Sequence, residues 1–154
     1  MSATPKSHRV GMGSVYLSAS AEAARRGDRR VGTEHLVLAL LGGLDPAITR
    51  AVGLDVATAR RVLDALDGQA LAAIGLHLPS GQAVPVEGKH EQFKLTPAAR
   101  SVFTGLRAHT GGQRLDLRHV MVALLALQPP DPAATLLDRL GVDRQAVQHR
   151  LRMP

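Results

Sequence analysis

"VGTEHLVLALL", Val31 to Leu41, and "LDLRHVMVALL", Leu115 to Leu125, are two versions of one motif in a chain of 154 residues. An internal repeat constrains a fold more tightly than local propensity does, because each copy carries an apolar face that a neighbouring copy has to cover. The flanking segments recur in the same order. Copy one runs through a helix-forming stretch Ser14 to Arg26, the turn "RGDRR", the motif, "DPAITRAV" from Asp45, "GLD" at Gly53 to Asp55, then "VATARRVLDAL". Copy two runs through Thr96 to His109, "GGQR", the motif, "DPAATLLDRL" from Asp131, "GVD" at Gly141 to Asp143, then "RQAVQHRL".

Periodicity and punctuation make these segments helices. Val15, Ala19, Ala23 and Leu17, Ala21, Ala24 recur at helical spacing in an alanine-rich context. Asp45-Pro46 and Asp131-Pro132 each place an acid at the N-cap before proline at the first helical position, and Thr96-Pro97 opens another helix in the same way. Gly53 and Gly141 end helices, and Asp55 and Asp143 cap the next ones. Thr33 is expected to cap the helix carrying "EHLVLALL", with Glu34 in its first turn near the positive end of the helix dipole. Leu117 cannot cap, so Asp116 is expected to take that role in copy two. No strand pattern competes.

The predicted fold class is all-α, a pseudo-twofold duplication of a four-helix unit, about eight helices in total, joined by a partly flexible linker. The expected divisions are a flexible N-terminus over 1–12, a first repeat over 13–66, a linker over 67–94 and a second repeat over 95–152. The linker's Ala70 to Ile74 reads as a short packed helix, and its Gly/Pro-rich remainder as flexible. The two repeats should pack through their apolar faces into one domain.

The chain has no cysteine, which removes disulfides and cysteine-ligated metals and suits a reducing compartment. The longest apolar run, Leu36 to Leu44, is short of the ~20 residues that cross a bilayer. The opening "MSATPKSHRVGMGS" lacks a secretory apolar stretch. The expected location is cytoplasmic, without membrane contact. A net charge of +6, carried almost wholly by arginine, fits either an anionic partner or the codon usage of a GC-rich genome. With 2% aromatic residues the chain has almost no stacking platform for single-stranded nucleic acid.

The "GTEH" motif before an apolar helix, its degraded second copy, and "LTP" opening the second unit resemble the double-repeat N-terminal domain of the Clp AAA+ unfoldases, especially the ClpC and ClpA type. The resemblance spans Ser14 to Arg152. No ATPase signature accompanies it: "GQAVPVEGK" from Gly81 to Lys89 has six residues between its glycines, where a Walker A loop has four. The resemblance implies a docking domain for adaptors and substrate proteins that also receives phosphoarginine and cyclic peptide antibiotics. For phosphoarginine it implies two pockets whose motif glutamate faces the guanidinium. Glu34 matches that glutamate. Arg118 stands in its place in copy two, where a cation cannot pair with a guanidinium, so that pocket is lost or converted to an anion-preferring one. Family members also begin with a phenylalanine-containing segment, whereas this N-terminus offers His8 and Val10, with Phe93 and Phe103 as alternative apolar contacts.

Read from the residues alone, Glu34 is either a solvated helix-start acid or a ligand carboxylate. His35 and His119 sit at equivalent places just inside helix starts, where an imidazole fixes the preceding turn. Thr96 with Lys94 either caps a helix or holds a phosphate. Arg25, Arg26, Arg29 and Arg30 form either a solvated turn or a phosphate-contacting loop. The histidines show no HExxH or i, i+4 metal spacing, and "GMGSV" lacks the Gly-x-Ser-x-Gly frame. The candidate ligand-binding residues are therefore Thr33, Glu34, Lys94, Thr96 and Arg118, with His35 and His119 structural and no catalytic residue, metal or cofactor. The expected function is a non-enzymatic binding module of the Clp proteolysis system, an adaptor or decoy. The alternative is a basic nucleic-acid-binding regulatory protein.

Overall fold

The computed structural model describes residues 11–76, 93–110 and 116–152, without the side chains of His109 and Thr110. The expected flexible N-terminus, apart from its last residues, the Gly/Pro-rich part of the linker and the "GGQR" turn lie outside the described residues.

Eight helices are described, so the fold is all-α. In chain order they are α1 (Met12–Arg25), α2 (Thr33–Ala39), α3 (Pro46–Val52), α4 (Val56–Ala73), α5 (Pro97–Thr110), α6 (Leu117–Leu125), α7 (Pro132–Arg139) and α8 (Arg144–Arg152). A wider turn, Leu40–Leu44, continues α2 and contains Gly43, whose φ of 93° favours glycine. The chain there bends by 113° into α3.

The caps are local chemistry. Asp45 Oδ1 accepts from Ala47 N–H at 2.9 Å, Asp131 Oδ1 from Ala133 N–H at 2.9 Å, and Asp55 Oδ1 from Thr58 N–H at 2.8 Å. Thr96 and Asp143 do the same for α5 and α8, through Ala99 N–H and Ala146 N–H. Gly53 and Gly141 take left-handed φ of 77° and 71° where α3 and α7 end.

Three local expectations are corrected. Thr33 is not a cap: Gly32 is the N-cap of α2 and Thr33 is its first helical residue. Its hydroxyl is engaged elsewhere, and an extended glycine supplies the entry geometry. The short packed helix expected at Ala70 to Ile74 is instead the tail of α4, which runs unbroken to Ala73. This tail is mostly exposed, with Ile74 just beyond it 72% exposed. The chain also contains a two-residue parallel pairing of β1 (Arg30–Val31) and β2 (Lys94–Leu95), continued by Thr96 N–H donating to the Val31 carbonyl at 2.9 Å. Two residues per strand are too few to leave an alternation in the sequence.

The core is one cluster drawing on both repeats, including Leu36, Leu38, Leu40, Ile48, Met121, Leu124, Leu136 and Leu137. Helix α2 is buried on nearly every side and packs against α1, α4, α5, α6 and α7. That position explains the apolar run Leu36 to Leu41. Helix α6 buries one stripe, Leu117, Val120, Met121, Leu124 and Leu125, and exposes His119. Between repeats, α3 packs on α8 and α4 on α7, contacts that map onto each other when the repeats are exchanged. The difference in burial of α2 and α6 departs from that exchange. No single described helix is long and apolar enough to cross a membrane.

Candidate functional site

The two motif histidines close the turns before their helices. His35 Nδ1 accepts from Gly32 N–H at 2.9 Å, and His119 Nδ1 accepts from Asp116 N–H at 3.1 Å. Each histidine thus satisfies an amide at the helix start that the helix itself leaves unpaired. Because Nδ1 is the acceptor, the neutral His35 ring carries its proton on Nε2 and donates it to Asp28 Oδ2 at 2.8 Å. Burial raises the Asp28 carboxyl, but the His35 hydrogen bond and the nearby Arg26 charge outweigh it and hold Asp28 below the usual range.

Glu34 lies beside this anchored turn, its carboxylate folded over Gly32 so closely that a Cβ at position 32 would overlap it. Its Oε2 is buried without a hydrogen-bond partner among the described residues, and its Oε1 lies 3.8 Å from His35 Nδ1. A carboxylate oxygen shielded from water with an unused lone pair is energetically costly in a folded protein, and a cationic hydrogen-bond donor would relieve it.

Thr33 serves the other repeat. Its hydroxyl donates to Asp131 Oδ1 at 2.8 Å and accepts from Ala133 N–H at 3.3 Å, entering the cap of α7. The exchanged contact uses a different residue: Arg118 Nε stands 3.8 Å from Asp45 Oδ2, at the cap of α3. Leu117 has no hydroxyl to offer, and the cation at position 118 faces the cap acid instead. Arg118 Nε is itself buried without a hydrogen bond among the described residues. Glu34 and Arg118, at the same motif position, therefore hold two of the four unpartnered buried side-chain atoms among the described residues.

Lys94 stands opposite Arg30 in the β1–β2 ladder, and both are exposed. Thr96 is the cap of α5 and joins Val31, one residue before Gly32, through its backbone. Lys94 and Thr96 are thus carried on the strand next to the Gly32 turn. The "RRGDRR" cluster divides in two. Arg25 pairs with Glu22, and Arg26 is held by Asp28, Asp64 and Asp67, which ties α1 to α4. Arg29 and Arg30 are exposed.

Phe93 and Phe103 are half-buried against the core, and Tyr16 Oη donates to the Phe93 carbonyl at 2.6 Å, fastening that segment to α1. His8 and Val10 lie outside the described residues. Among the described residues no cluster of His, Asp or Glu is placed to hold a metal. Asp28 had no motif to announce it; the only signal was its place in a charged turn seven residues before His35.

The fold and site define an all-α protein presenting an underused carboxylate at an anchored helix start. No protein-family model matches the chain, and no curated protein matches it.

Proposed function

We propose that this chain is a non-enzymatic binding module of the Clp type, acting as an adaptor or decoy, with Glu34 as the carboxylate that receives a guanidinium. The observation that carries the reading is the buried Oε2 of Glu34, which has no hydrogen-bond partner among the described residues. A guanidinium offers planar paired donors to such an oxygen, and the charge-assisted bond is worth more where water is excluded. The exposed Arg30 and Lys94, on the neighbouring strand rung, suit the phosphate of a phosphoarginine whose guanidinium lies on Glu34. The resemblance of "GTEH" to the ClpC and ClpA repeat supplies the ligand class, and with it the partners: a Clp unfoldase, its adaptors or substrates, and cyclic peptide antibiotics.

In copy two, the Arg118 cation facing Asp45 leaves no carboxylate for the same ligand. The module therefore has one guanidinium site. Nucleic acid is the weaker reading, because Arg25, Arg26, Arg60, Arg144 and Arg150 are engaged within the molecule. Calorimetric titration with phosphoarginine at pH 7.5 tests the proposal. One site is expected in the parent, with affinity reduced tenfold or more in Glu34→Ala. Absence of binding in the parent rules out the guanidinium-receptor reading.

A further inference from the structure

His35 Nδ1 faces two partners that require opposite protonation states. When bare it accepts from Gly32 N–H at 2.9 Å; the Glu34 carboxylate, 3.8 Å away, can only accept and so suits a protonated Nδ1. Nε2 is already committed to Asp28 at 2.8 Å, so a proton taken up from solvent has to arrive at Nδ1. That proton sets two N–H groups against each other at the Gly32 contact. It also leaves an imidazolium between two carboxylates.

We propose that His35 is a proton-operated latch on Glu34: protonation of Nδ1 releases Gly32 N–H and captures the Glu34 carboxylate, withdrawing it from a cationic ligand. This inference rests on the reading of Glu34 as a receptor carboxylate and concerns the regulation of that same site. Ligand binding and proton uptake then compete, each reducing the other by the same factor.

The charged surroundings favour this switch. The turn after α1 contributes Asp28, with Arg26 behind it, and Arg26 is itself held by Asp64 and Asp67 of α4. Helix α2 contributes Glu34, while the acid at the start of α7, Asp131, is engaged by Thr33. Arg30, Lys94 and Arg100, from β1, β2 and α5, are exposed to solvent, where their repulsion is screened. The two nearest charges are thus both negative. His119 provides an internal control, because its Nδ1 makes the same bond to Asp116 N–H but its neighbour is Arg118, which offers no carboxylate to capture.

The test is nitrogen-15 NMR of the histidine rings in the full chain without ligand, from pH 8 to pH 5, the interval in which imidazoles commonly change charge. The expected result is a bare His35 Nδ1 at pH 8 that becomes protonated on acidification, with the Gly32 amide resonance shifting in step. Glu34→Ala, which removes the acceptor that the protonated ring captures, is expected to reduce the Gly32 amide shift over the same interval and to leave the Asp116 amide beside His119 unchanged. The latch is overturned if the Gly32 amide stays fixed while His35 gains its proton, if Nδ1 remains bare to pH 5, or if the Gly32 amide shifts as far in Glu34→Ala as in the parent. The phosphoarginine titration at pH 7.5 is independent of these spectra, so failure of the receptor reading and failure of the latch give different results.

Discussion

At the scale of single residues, the site depends on what position 32 lacks. Gly32 has an extended φ of −98°, which any residue adopts, so its importance is spatial. The atoms nearest to a Cβ there are the flexible end of Glu34. Gly32→Ala is therefore expected to displace the carboxylate at little cost, with stability within about 1 kcal/mol of the parent. Phosphoarginine affinity should fall tenfold or more. Paired thermal melts and calorimetry check this, and a large loss of stability with unchanged binding would contradict the geometry.

At the scale of elements, the repeats are joined at their helix starts by chemically unequal contacts. Thr33 is buried and supplies two hydrogen bonds to the α7 cap. Arg118, with its side chain 38% exposed, faces Asp45 without a hydrogen bond. Thr33→Val keeps the shape and removes both bonds, and is expected to cost about 1–3 kcal/mol because Asp131 and Ala133 N–H lose a partner. Arg118→Leu should cost under about 1 kcal/mol, because the 3.8 Å pair is partly open to solvent and makes no hydrogen bond between its partners. Urea denaturation of the two variants measures the contrast, and equal losses would mean that the two contacts bear equal weight. The tail of α4 follows from similar reasoning. Gln69 to Ala73 are good helix formers with no stop signal, so the helix continues past the body that would cover it.

At the scale of the whole molecule, half-buried ion pairs tie α1 to α4. Glu22 is 7% exposed and is held by Arg60 from α4 and Arg25 from its own helix. Burial raises the Glu22 carboxyl, and the hydrogen bonds and charges of Arg60 and Arg25 more than offset this, leaving it below the ordinary range. Asp28 is lowered as well. Between the unfolded and native values the unfolded chain binds more protons, so the stability these groups contribute is present above about pH 4.5 and lost as pH falls through the depressed native values. Urea midpoints should therefore fall between about pH 5 and pH 3. Glu22→Gln should lower stability at pH 7 by about 1–3 kcal/mol and flatten that fall. A variant whose pH profile overlays the parent's would show that Glu22 contributes nothing to acid sensitivity.

The sequence by itself determined the helices and most of their ends, because a cap acid, a proline after it or a left-handed glycine acts within a few residues of chain. Asp45, Asp55, Asp131, Asp143, Thr96, Gly53 and Gly141 all stand where their chemistry placed them. The motif also marks Glu34, His35, Arg118 and His119 as the residues that recur or change between its two copies. Only the tertiary structure decided what those side chains touch. Thr33 had the composition of a cap, yet its hydroxyl serves a helix from the other repeat. Arg26 in a basic run proved to be a buried tie to α4. Asp28, unmarked in sequence, proved to orient His35. A hydrogen bond between distant segments depends on which surfaces the core brings together, and that is settled by packing across the whole chain rather than by any residue's own preference.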